Sequence, residues 1–206
     1  MLNIKSKVVI YLLLFCALLV SCGNEQKKAS NSRSIPEVKK GVAPVADSEI
    51  AVIDTDYGVI KMELYSNIAP KMVAQFKQLA NEGVYNGTTF HRINDSVIQG
   101  GDPFSKDTDP SNDGMGKSEK PNVDAEFSDI PYDTGIVGAA RSQDVNTANS
   151  QFFITLKRQP GFDNKYTIFG KVIEGMNNVQ IIAGAPKQGE KPSESIRIKS
   201  VSIQPR

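Results

Sequence analysis

Hydrophobic positions from residue 50 onward switch between two periods. Ile50 to Asp54 and Val59 to Leu64 read as strands around a turn at Asp56-Tyr57-Gly58, with Ile60, Met62 and Leu64 on one face. Pro70 then stands at the position a helix favours for its first turn, and Met72, Val73, Phe76, Leu79 and Ala80 follow as an apolar stripe that Gly83 ends. Gly135 to Ala140, Gln151 to Leu156 and Tyr166 to Val172 also read as strands. A short second helix carries Met176, Val179 and Ile182 before Gly184. The last strand places Ile196 and Ile198 on one parity and Val201 and Ile203 on the other, so a bulge is expected at Ser200. Phe104 to Asn122, rich in Gly, Asp and Lys, reads as a loop. Strands dominate, two helices are inserted, and the pattern predicts a mostly-β barrel.

The first 48 residues follow other rules. Lys5 and Lys7 precede the uncharged run Val8 to Val20, and Leu19-Val20-Ser21-Cys22 follows, so residues 1–21 read as an export signal. That run is shorter than the roughly 20 residues needed to span hydrocarbon. The Leu-Val-Ser-Cys ending resembles a bacterial lipobox, which makes Cys22 the lipidation site and the first mature residue. Of the two cysteines, Cys16 leaves with the signal. Cys22 then has no partner for a disulfide, and acylation removes a reactive thiol. Residues 22–48 are polar and without period, and read as a flexible tether with a reach of about 25–30 Å. Residues 49–206 suit one domain. Removing the signal takes two lysines from 24 basic residues and nothing from the 23 acidic ones, and this near-neutrality gives no argument for nucleic acid.

Three segments carry the chemistry. Phe90-His91-Arg92-Ile93 is followed by Gln99-Gly100-Gly101-Asp102-Pro103, then by Ser150-Gln151-Phe152-Phe153-Ile154, then by Phe169-Gly170-Lys171. In that order they resemble the cyclophilin-type peptidyl-prolyl isomerases, and the likeness covers nearly all of residues 50 to 203. It implies a closed eight-stranded antiparallel barrel capped by two α-helices. It also implies a monomer that turns X-Pro bonds in proline-containing polypeptides with no metal, nucleophile or cofactor. Arg92 matches the catalytic arginine and Gln99 the residue that orients it. His91, Val97, Gln151, Phe153, Phe162 and Tyr166 match the walls of the substrate cleft. Ala140, Arg141 and Ser142 match the segment whose backbone meets the substrate, Arg141 acting mainly through its main chain. Phe152, on the other face of its strand, reads as core.

Arginine suits the task physically. An amide resists rotation by ~18–20 kcal/mol because nitrogen shares its lone pair with the carbonyl. Twisting localises that pair on the prolyl nitrogen, where a fixed guanidinium can donate to it. His91 is the chain's single histidine, and rotation moves no proton, so a structural or contacting role is expected. A lone histidine without a partner cysteine also argues against a zinc site.

Two departures from the family pattern stand out. The step from Arg92 to Gln99 is seven residues where eight is usual, with Ser96-Val97 in place of a Phe-Met or Phe-Val pair. One aromatic wall is thus expected to be missing, at a cost of ~1–3 kcal/mol of apolar contact. Gly161 replaces the Trp of cyclosporin-sensitive relatives, which implies weak inhibition by that drug. Three functions remain open at this point: a lipid-anchored isomerase of exported proteins, a weakly active or inactive module that grips proline-containing segments, and a surface spacer or adhesin.

Overall fold

The computed structural model describes residues 36–206. The expected signal segment, Cys22 and the expected tether as far as residue 35 lie outside the described residues. Strands β1 (Glu49–Thr55) and β2 (Gly58–Leu64) form a hairpin, and helix α1 (Pro70–Asn81) follows. Next come β3 (Arg92–Ile93), β4 (Val97–Gly100), β5 (Ile136–Ala139), β6 (Phe152–Thr155) and β7 (Ile168–Glu174). Helix α2 (Met176–Ala183), a small hairpin of β8 (Lys187–Gln188) and β9 (Lys191–Pro192), and β10 (Ile198–Pro205) complete the chain.

Eight of the strands make one antiparallel sheet in the order β10-β1-β2-β7-β5-β6-β4-β3. The expected closed barrel is corrected here: the sheet is a curled half-barrel whose ladder does not close, with β10 and β3 at its edges. Irregular backbone spans the gap. Gly87 N and Phe90 N donate to the carbonyls of Ile198 and Ile196, and Ile198 N donates to Thr88 O, at 2.7–2.9 Å. The predicted bulge is present one residue early. Asp54 faces Ser200 while Thr55 faces Ile198, so Lys199 is the extra residue and the buried parity changes around it.

The concave side of the sheet holds the main core. Phe76 from α1 sits 5.0 Å from Tyr85, 5.3 Å from Phe169 and 5.8 Å from Phe152, centroid to centroid, and all four rings are fully buried. Val179 and Ile182 of α2 join the same cluster. Ala69, the residue that precedes helix α1, offers no side-chain cap. Glu126 supplies one from elsewhere in the chain, accepting from Lys71 N at 3.2 Å and Met72 N at 3.0 Å, where orphan donors and the helix dipole favour a carboxylate.

Residues 36–48 behave differently from the tether of which they were expected to be part. Lys39 donates its N–H to Phe127 O and accepts from Asp129 N, and its Nζ reaches Ile68 O at 2.6 Å. Asn67 exchanges hydrogen bonds with Ala43 O and Val45 N. Asp47 binds Leu64 O through its N–H and Lys77 through its carboxylate at 2.7 Å. These contacts are polar and largely main-chain, so the segment lies along the domain without any hydrophobic period to announce it.

Candidate functional site

Strand register assembles the site from a single row. Arg92 faces Gln99 across the β3–β4 hairpin, Gln99 faces Phe153 on β6, and Phe153 faces Gly138 on β5. Cross-strand partners share a face, so a cation, an amide, an aromatic ring and a residue without a side chain lie side by side. The inward neighbours Ile98, Phe152 and Ile154 go to the core, which pins the register. The glycine is required: a Cβ at Gly138 would stand 2.4 Å from Phe153 Cζ and 2.6 Å from the Tyr132 hydroxyl.

The shortened hairpin keeps this pairing. Asn94 N donates to Val97 O at 3.0 Å, while the Asn94 side-chain oxygen accepts from Ser96 N and Val97 N at 2.9 and 3.0 Å. This side-chain-locked turn closes two residue pairs and returns Gln99 opposite Arg92. Arg92 Nη1 donates to Gln99 Oε1 at 3.2 Å. Gln99 Nε2 then donates to Gln151 Oε1 at 2.9 Å, and Gln151 Nε2 donates to the carbonyls of Gly114 and Gly116 at 3.0 and 2.8 Å. A guanidinium has only donors, so each amide in this chain is forced to point its oxygen toward Arg92. The loop at the far end is itself held by Asp102, wholly buried, which accepts from Phe104 N, Gly114 N and Gly116 N.

Beside the cation lies an apolar wall. Phe153 contacts Tyr132, Phe162 and Tyr166 at centroid separations of 5.6–5.8 Å, and Phe162 lies 5.1 Å from Tyr166. Phe162 is set by a 3-10 turn at Pro160–Phe162, which is tied to Tyr132 because Gln159 N donates to Tyr132 O at 2.8 Å. Arg141 stacks its guanidinium 4.4 Å above the Tyr166 ring and donates to Ser142 O and Lys165 O. Val97, almost fully buried, belongs to the same small cluster as Tyr132 and Phe153.

A cavity of about 480 Å³ opens onto these groups and is lined by His91, Arg92, Val97, Gln99, Ala140, Arg141, Phe153, Phe162 and Tyr166. Ser142 and Gln151, the remaining predicted site residues, line an adjoining cavity of about 360 Å³ that shares Gln99, Ala140 and Arg141 with the first. Nine of the eleven domain residues singled out from the sequence therefore line the first cavity, and the other two line the one beside it. The twelfth, Cys22, lies outside the described residues.

His91 is 93% buried in the sense that only 7% of its surface is exposed. Burial depresses its pKa against the opposing pull of Asp102 and Asp113, so the ring is neutral at physiological pH. A neutral, enclosed imidazole suits the structural role expected of it. Asp113, whose carboxyl is pushed up by desolvation, lines the same cavity and approaches Lys191 at 4.0 Å.

Sequence reasoning missed Asp113, Gly114, Gln188, Glu190 and Lys191, all of which line the cleft. Asp113 and Gly114 sit in the polar loop, where only an anchoring carboxylate such as Asp102 could have signalled a fixed shape. The others belong to the β8–β9 hairpin, for which Gly189 between polar neighbours was the one available turn signal.

The fold and site agree with comparisons against known proteins. The family model for cyclophilin type peptidyl-prolyl cis-trans isomerase/CLD matches residues 50–203. A protein described as a "probable peptidyl-prolyl cis-trans isomerase" from Brucella suis is 44% identical over 146 residues, covering 68% of this chain and 74% of its own. Peptidyl-prolyl cis-trans isomerase cypE of Dictyostelium discoideum is 38% identical over 151 residues, covering 73% of this chain and 94% of its own. Among solved structures, a Cryptosporidium parvum cyclophilin-type isomerase crystallised in the presence of the dipeptide Ala-Pro superimposes with a TM-score of 0.69 at 34% identity. It covers 76% of this chain and 99% of its own. The chain belongs to the cyclophilin-type peptidyl-prolyl cis-trans isomerases.

Gly138→Ala tests the row directly. Forcing Phe153 aside should lower stability by about 1–3 kcal/mol through overpacking, measured by denaturant unfolding. It should also lower kcat/KM on an Ala-Pro peptide about tenfold, since small displacements of a positioned site cost that order of rate. Unchanged values for both would show that the glycine is not needed.

Proposed function

We propose that this chain is a lipid-anchored peptidyl-prolyl cis-trans isomerase that turns X-Pro bonds in exported proteins, with Arg92 as the catalytic cation. The observation that carries the reading is the guanidinium held by Gln99 at the rim of an aromatic cleft, in a chain whose family is that of the isomerases. The proline ring enters against Val97, Phe153 and Phe162, where burial of its apolar surface contributes about 25 cal/mol per Å². The backbone at Ala140, Arg141 and Ser142 lies along the substrate strand, and Gln99 and Gln151 supply polar contacts.

Rotation of the bond takes the prolyl nitrogen out of conjugation and leaves a lone pair on it. Arg92 donates to that pair, which neither planar isomer offers, so the interaction strengthens only in the transition state. Arginine serves because it stays charged and its fork of donors is rigid. No proton changes hands, and the neutral His91 has no part in chemistry. The narrowed aromatic wall at Ser96-Val97 shifts the balance toward a broader choice of residues around the proline.

The anchor rests on the N-terminal sequence alone: the basic start, the uncharged run to Val20 and the lipobox-like Leu19-Val20-Ser21-Cys22. Amide- and thioether-linked chains on Cys22 supply more than one hydrophobic anchor, as stable attachment requires. Residues 23–35 then lead to the domain. The anchored domain faces the periplasm or the cell surface.

Arg92→Ala should reduce kcat/KM on Xaa-Pro peptides about 10²–10³-fold, the range for losing one preorganised donor. Stability should change by less than about 1 kcal/mol, because the side chain is nearly half exposed. An active Arg92→Ala enzyme would remove the mechanism. Separately, Cys22→Ser expressed in a bacterial host should move the protein from the membrane fraction to the soluble exported fraction. Retention on the membrane would contradict the anchor.

A further inference from the structure

The guanidinium of Arg92 has a second holder that lies 98 residues away. Glu190 sits in the two-residue turn between β8 and β9, directly after Gly189, whose φ of +61° gives the turn its hand. The turn is docked on β3, because Ile93 N donates to Glu190 O at 2.7 Å. From there the carboxylate takes Arg92 Nε–H at 2.6 Å and Nη2–H at 3.3 Å, side-on and bidentate. Asn94 Nδ2 donates to the same carboxylate at 2.7 Å and fixes its plane.

Counting donors shows what this arrangement does. A guanidinium carries five N–H bonds. Glu190 takes two and Gln99 takes one, on Nη1. Two remain, one on each terminal nitrogen. The pair adds little stability, since both side chains are about half exposed. Its consequence is orientation. A free arginine side chain carries about 2 kcal/mol of rotamer entropy, and any part of it lost on reaching the transition state slows the reaction. Two partners on two edges remove that freedom before substrate arrives.

We propose that Glu190 is a positioning residue for the isomerisation: the β8–β9 hairpin clamps the Arg92 guanidinium from its side edge and aims the remaining N–H bonds into the cleft. The inference rests on Arg92 being the catalytic cation. Glu190 acts through Arg92 and not on the substrate. Its carboxyl is held below the usual carboxylate range first by Arg92 and then by Asn94, so the clamp is ionised at neutral pH.

The test uses the full chain with Glu190→Ala, Glu190→Asp, Arg92→Ala and the double alanine variant. The readouts are kcat and KM on an Ala-Pro peptide and the Arg92 Nε–H signal by nitrogen-15 NMR. In the wild type the Nε–H signal should be sharp and slow to exchange; Glu190→Ala should broaden or lose it, and should lower kcat about tenfold with KM within about twofold. Glu190→Asp should restore part of both, and in the Arg92→Ala background the second substitution should add nothing. Wild-type or raised kcat in Glu190→Ala, with Arg92→Ala inactive, overturns the clamp alone. Full activity in Arg92→Ala overturns the mechanism beneath it. Thermal unfolding of Glu190→Ala within a few degrees of wild type confirms that the loss is not one of folding.

Discussion

The whole site depends on one constraint, the lateral register of four antiparallel strands. Because Arg92, Gln99, Phe153 and Gly138 oppose one another from strand to strand, the first three side chains emerge on the same face in a line, and Gly138 leaves room beside Phe153. A slip of one residue on β4 or β6 would send Gln99 or Phe153 into the core and bring Ile98 or Phe152 out. That slip is forbidden by the main core, which needs Ile98, Phe152 and Ile154 fully buried. Packing on one side of the sheet thus enforces chemistry on the other. The aromatic cluster of Tyr132, Phe153, Phe162 and Tyr166 forms a second, smaller hydrophobic unit on the outer face, and it is this unit that the cleft opens onto.

Catalysis of a bond rotation places unusual demands on such a site. It asks for no acid, no base and no metal, only a charge whose direction does not drift and a surface that holds the proline ring. The amide relay from Arg92 through Gln99 and Gln151 to the carbonyls of Gly114 and Gly116 supplies the direction on one edge. Asp102, buried beneath the loop, fixes the far end of that relay. Polar groups that seem scattered in the sequence therefore act as a single scaffold for one guanidinium.

Much of this was readable before the structure. The helical stripe from Met72 to Ala80 and the parity change in the last strand each carried a physical period; the helix formed where the period placed it, and the bulge formed one residue before its expected place. The eleven domain residues proposed for the site came from local motifs, and they line two adjoining cavities. Three features were not readable, for different reasons. Closure of a sheet depends on hydrogen bonds between its edges, and hydrophobic alternation is the same for an open or a closed ladder, so the barrel expected was a curled half-barrel in fact. Residues 36–48 hold to the domain through backbone and polar contacts that leave no hydrophobic signature. The hairpin carrying Glu190 is short, polar and distant in sequence from Arg92, so nothing local linked the two.

The central claim is that the cation must be held in direction and not merely present. Exchange NMR on an Ala-Pro peptide with Arg92→Lys separates the two, because lysine keeps the charge but lacks the planar fork that Gln99 and its neighbours grip. The account predicts a catalysed exchange rate at least tenfold below wild type, on a domain whose unfolding is unchanged. A lysine enzyme that turns the bond at the wild-type rate would contradict it.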